Sequence, residues 1–217
     1  MHISEGVLSA PVIAAGWAAA IAGIGVGLKK TTALKLPETA LVSAVLFLAS
    51  LVHVPLGPSS IHLTMLGLAG ILLGWSAVPA LFIALLLQSM LFQFGGLLSL
   101  GVNTVVMGTA AVSAFGIWRL FPGGKGRRPG RALQPRRALA AGVKSAAAFA
   151  CGFTAVITGT FLVTLSLFLS SRDLFPTAAL MFAANLPLAA AEGVITALCV
   201  LFLQRLLPGY VPGQAGI

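Results

Sequence analysis

Besides two cysteines, the chain's side chains suited to metal or acid–base chemistry are three histidines and four carboxylates: His2, His53, His62, Glu5, Glu38, Asp173 and Glu192. His2 has the most telling position. A free N-terminal amine, the backbone nitrogen of residue 2 and the His2 imidazole can hold one metal ion together, closing two fused chelate rings. An amine with a neutral imidazole suits Co, Ni, Cu or Zn better than the oxygen-seeking Mg or Ca. Three nitrogens leave a fourth position, which His53 or His62 could fill, and a planar four-nitrogen set is diagnostic of Ni(II) or Cu(II). An initiator methionine is normally retained before a residue as large as histidine. Met1 is therefore expected to supply the amine once its formyl group is removed. The competing roles are ordinary ones: a solvated terminal histidine, or histidines at helix ends in a membrane interface.

The elements that must position these residues are apolar. Of the 217 residues, 59% are hydrophobic and 8% charged, against about 25% charged in a soluble domain. Such sparse charge implies lipid as the solvent. Runs of about 20 apolar residues are needed to span a bilayer, and their breakers place spans at 10–28, 38–54, 61–75, 77–94, 100–121, 144–170 and 182–206. Phe175-Pro176 and Pro187 predict a kink or a re-entrant start for the last. The fold expected is an all-α integral membrane protein, a bundle of seven transmembrane helices in one domain over 1–217. Residues 1–9 form an N-terminal segment and 122–143 a basic cytoplasmic connector.

Orientation follows from lysine and arginine. With the N-terminus outside and the C-terminus inside, twelve of the thirteen basic residues are cytoplasmic, and Arg172 is the exception. All three histidines then lie near the outer face. The net charge of +9 does not point to nucleic acid. Seven of the basic residues sit between Arg119 and Arg137 in a Gly/Pro-rich stretch without the interleaved aromatics that stack bases. The N-terminus lacks the positive start of a secretory signal, so its first residues are expected to remain. Cys151 and Cys199 have no metal or redox spacing and read as packing residues. No GxxxxGK[ST] string occurs, so ATP hydrolysis would belong to another subunit.

The opening string MHISEGVLSAPV resembles the start of the CbiM/NikM family, the substrate-binding S components of energy-coupling-factor transporters for cobalt and nickel. GPSSIHLTMLGLAGILLGW (57–75), LLLQSMLFQFGGLLSLGVNT (85–104) and AEGVITA (191–197) match in the same order. The resemblance implies an S-component-like bundle with an extra N-terminal helix, whose first residues fold back into the core. It implies that Co2+ or Ni2+ is cargo and that no resident cofactor is held. The ligands it implies are the Met1 amine, the amide nitrogen and imidazole of His2, and His62; His53 matches no family ligand. The partners it implies are a transmembrane coupling subunit, ATP-binding cassette ATPases and a small accessory membrane subunit, in the cytoplasmic membrane. The style of the sequence favours cobalt, whereas a planar chelate favours nickel.

Ser59, Ser60 and Asn103 are candidates to brace a ligating imidazole, Asn103 foremost; an interhelical hydrogen bond is the other role for Asn103. Glu192 is costly in an apolar span without a partner and reads as a structural acceptor. Small residues at four-residue intervals (Ala14/Ala18/Ala22, Ala15/Ala19/Gly23, Ala40/Ala44) allow close helix approach, within the chain or towards the coupling subunit. Two other classes compete: a proton-coupled secondary transporter using Glu192, and an intramembrane serine hydrolase using His53 or His62. The second lacks a GxSxG-type setting.

Overall fold

The apolar runs fold as helices, and the breakers between them set where each one stops. The computed structural model describes residues 2–51, 53–56, 59–121 and 134–207, with side chains described over 2–51, 62–121 and 142–207. Within them lie α1 (Ala10–Lys30), α2 (Leu36–Ala49), α3 (Leu66–Leu73), α4 (Ala77–Phe92), α5 (Leu100–Leu120), α6 (Gln134–Ser170) and α7 (Phe175–Leu206). One two-stranded antiparallel hairpin, β1 (His53–Leu56) with β2 (Ser59–His62), interrupts the helices between α2 and α3. Five helical stretches are long and apolar enough to cross a membrane: Ala10–Lys30, Leu66–Phe92, Leu100–Leu120, Gly142–Ser170 and Arg172–Leu206.

Proline and charge mark the ends. Pro11, Pro37 and Pro176 stand in the first turns of α1, α2 and α7, where a missing N–H removes no helix bond. Lys29 and Lys30 close α1, opposite the negative end of its dipole.

The segment from 50 to 75 departs from expectation. The second span was placed over 38–54, but α2 ends at Ala49, where the Ser50 hydroxyl turns back to the Phe47 carbonyl at 2.7 Å. The third was placed over 61–75. Its first residues instead finish β2, and the helix covers Leu66–Leu73 alone. Eight residues rise only about 12 Å, so α3 crosses nothing by itself. A short 3-10 turn at Gly74–Ser76 joins it to α4. The last two runs are longer than placed: α6 begins at Gln134, inside the stretch assigned to the connector, and α7 begins at Phe175 and continues through Pro187.

The short α3 packs deep in the molecule. Leu66 and Ile71 are fully buried, and Gly67 lies against Gly152 of α6 so closely that an added Cβ would stand 2.5 Å from the Gly152 Cα. Around this centre the periphery is apolar and exposed, as at Leu41, Leu180 and Phe161, which suits a surface facing lipid. On α1 the buried residues are Gly16, Ala20 and Gly27. Ala14, Ala15, Ala18, Ala19 and Ala22, with Ala40 and Ala44 of α2, are exposed. Gly23, the third member of one stripe, is half-buried, and a Cβ on it would stand 3.5 Å from Val78 Cγ1.

Candidate metal centre

His2 reaches the core because the segment before α1 folds inwards. Its imidazole and that of His62, the last residue of β2, are both buried and stacked, with centroids 4.5 Å apart and planes 13° from parallel. Among the described residues no His, Cys, Asp or Glu side chain joins them to make a cluster of three. Two imidazoles from distant parts of the chain thus meet in the core. Met1 lies outside the described residues.

Ring tautomers follow from hydrogen bonds. Nδ1 of His62 is 3.0 Å from the Leu63 carbonyl. A carbonyl only accepts, so Nδ1 carries the proton and Nε2 the lone pair. A ring nitrogen donating to a carbonyl while the other faces the ion is the usual arrangement of ligating histidines.

The inserted segment is held by its backbone. Asn103, on the first turn of α5, accepts from the Ile3 N–H through Oδ1 at 2.9 Å and donates Nδ2 to the Ile3 carbonyl at 3.1 Å. This departs from the role expected for Asn103: it grips the residue after His2 rather than an imidazole. The clamp lies on main-chain atoms, so it fixes where residue 3 runs. The Ile3 side chain is itself fully buried.

The loop between α4 and α5 supplies the floor. Gly95 and Gly96 have φ of +80° and +82°, a region open to glycine and strained for other residues. A Cβ on Gly95 would stand 3.0 Å from Asn103 Nδ2 and 3.5 Å from the His2 Cβ; one on Gly96 would stand 2.7 Å from the Glu5 Cβ. The Leu98 N–H donates to Glu5 Oε1 at 3.0 Å, so the carboxylate of Glu5 braces the segment from an exposed position. Ser99, not singled out from sequence, bonds through Oγ to the Gly95 carbonyl and receives Asn103 Nδ2 at 3.4 Å.

Glu192 is the second long-range brace. From α7 its carboxylate accepts the backbone N–H groups of Thr64 and Met65, with the Met65 contacts at 2.9 and 3.0 Å. The structural role preferred for it stands, and its partners are the two residues that lead from His62 into α3. His53 and His62 are opposite one another in the hairpin register. Ser59 and Ser60 lie on β2, and the side chains of His53, Ser59 and Ser60 are outside the described set. Cys151 is buried and donates its thiol to the Ala114 carbonyl at 3.3 Å, a packing role.

A family model described as CbiM, cobalt uptake substrate-specific transmembrane region, matches residues 2–209. The chain belongs to the CbiM family. A Haemophilus influenzae protein with a metal-transport name is 51% identical over 119 residues, covering 55% of this chain and 58% of that protein. The fused nickel transport protein NikMN of Rhodobacter capsulatus is 36% identical over 128 residues, covering 54% of this chain and 37% of its own length. The chain thus spans about half the length of these curated relatives. A crystal structure of a transition metal transporter superposes with a TM-score of 0.76 at 26% identity, over 95% of this chain and 93% of that one. With five helical stretches able to cross a membrane, this CbiM-family chain is a multi-pass membrane protein.

Proposed function

We propose that this chain is the substrate-capture subunit of an ATP-driven importer of Co2+ or Ni2+, an S component in the energy-coupling-factor sense. The ion is held by the N-terminal amine, the amide nitrogen and imidazole of His2, and the imidazole of His62. The observation that carries the reading is the burial and stacking of His2 against His62, with the next residue clamped by Asn103. A terminal segment is ordinarily frayed. One that is drawn into the core and fastened by its backbone has a task at its first residues.

In this reading the seven helices form one bundle with α1 as the additional N-terminal helix, the N-terminus outside and the C-terminus inside. The short α2 and α3 are supported by neighbours rather than by full contact with lipid. Lys29, Lys30, Lys35 and the basic connector then face the cytoplasm of a cell whose cytoplasmic membrane houses the complex. The exposed alanine stripes of α1 and α2 are the face offered to the coupling subunit, since small residues let helices approach closely in lipid. ATP is hydrolysed by partner ATPases, for no Walker string is present in this sequence.

Cobalt is the first choice of ion, on the description of the family matched over residues 2–209. Nickel is the second reading, favoured by the planar geometry that amine, amide and imidazole nitrogens impose. The test is the terminus itself. The purified chain is titrated with Co(II) and Ni(II), alongside a version with two residues added before Met1 and one carrying His2→Ala. Both variants are expected to fold and to lose high-affinity binding. Unchanged binding by the extended chain would remove the amine from the site and overturn the mechanism.

A further inference from the structure

A helix N-terminus is an unfavourable neighbour for a cation, because its unpaired N–H groups carry partial positive charge and attract anions. Yet α3 starts at Leu66, four residues after the His62 imidazole. The structure resolves this conflict with one side chain. Oε1 of Glu192 accepts from Thr64 N–H and, at 2.9 Å, from Met65 N–H; Oε2 accepts from Met65 N–H at 3.0 Å. Both oxygens accept from main-chain N–H groups that lead into α3. Among the described residues Glu192 is the one buried Asp, Glu, Lys or Arg, with no exposed surface.

The depth of this carboxylate is fixed by helix contacts. Gly152 of α6 lies between α3 and α7: a Cβ there would be 2.6 Å from the Glu192 carbonyl oxygen and 2.6 Å from Thr196 Oγ1. On its other side Gly152 meets Gly67, in the first turn of α3. Three backbones touch at two glycines, and Glu192 is thereby set under the end of α3. A carboxylate this rigidly mounted, 128 positions along the chain from Thr64, is more than a local cap.

We propose that Glu192 is a positioning residue and the counter-charge of the metal centre. It fixes the main chain that presents His62 and cancels the positive end of α3 that would otherwise oppose a divalent ion. The proposal rests on the reading that His2 and His62 hold that ion.

The experiment compares Co(II) affinity, the visible spectrum of bound Co(II) and the metal-free melting temperature for the full chain and for Glu192→Gln. Glutamine keeps the shape and one accepting oxygen and removes the charge. The expected result is affinity weaker by about 10–100-fold, the range for residues that support ligands. At saturating Co(II) the spectrum is unchanged, because the ligands are intact, and metal-free melting is close to that of the parent. Glu192→Asp, which keeps the charge, binds more tightly than the glutamine variant. Parent-like affinity in Glu192→Gln overturns the proposal, as does an affinity loss matched by an equal loss in Glu192→Asp. If Glu192→Gln does not fold, Glu192→Asp against Glu192→Asn makes the same comparison, and equal affinities sink the counter-charge. Absence of Co(II) binding by the parent chain is a separate outcome, which defeats the metal reading itself.

Discussion

The imidazoles of His2 and His62 lie face to face, 4.5 Å between centroids and 13° from parallel, although 60 positions separate them in the chain. The lone pair of a ring nitrogen lies in the plane of its ring, so two stacked rings do not aim at a single point. Coordination of one ion by both must turn at least one of them. His62 has its Nδ1 contact to the Leu63 carbonyl, so its turning would break that contact.

Two variants separate the histidines. His62→Ala is expected to weaken Co(II) binding by more than the roughly 10–100-fold typical of a supporting residue, because a direct ligand is lost. His53→Ala is expected to leave affinity nearly unchanged, although its backbone pairs with that of His62. Equilibrium titration measures both. A metal-bound structure supplies the third check, since rings that remained stacked at their present angle would rule out shared coordination.

The clamp on Ile3 makes a different prediction. Asn103→Ala removes the acceptor for the Ile3 N–H and the donor for its carbonyl. Each buried backbone group left without a partner costs about 1–3 kcal/mol, which the segment can avoid by coming out. Faster amide exchange is therefore expected at residues 3–5, together with about 10–100-fold weaker metal binding. Asn103→Asp keeps the acceptor and loses the donor. If exchange at Ile3 stays slow in Asn103→Ala, the segment is held by something else.

How much of this was legible beforehand depended on the range of the interaction. The runs that became α1 and α5 matched their predicted limits closely, because a long apolar run between breakers has one good solution in lipid. The stretch from 50 to 65 did not. Short stretches such as HVPL and SSIH suit a strand or the end of a helix equally well, and pairing decided between them. At the site, the polar residues were visible: His2 by its place beside the N-terminal amine, and His62, Asn103 and Glu192 as anomalies in apolar spans. Their partners were not. Asn103 bonds 100 positions away and Glu192 128 positions away, and no local pattern encodes such distances. Ser99 was missed because a serine ahead of a helix is usually just a cap.

The pH dependence of binding has a sign fixed by the ligands. The ion competes with protons for an amine of ordinary pKa about 7.7–8.0 and for imidazoles of about 6.5. Each ligand must be deprotonated to coordinate, and the amide of residue 2 gives up its proton as well, so binding releases protons. Affinity should therefore rise with pH and fall by at least about 100-fold between pH 8 and pH 6. Calorimetric titrations in buffers of different ionisation enthalpy count the protons released. More than one per ion at pH 7 is expected, since amide and amine both contribute. A site built from two imidazoles alone would release well under one, so the count discriminates between a terminal chelate and a simple histidine pair.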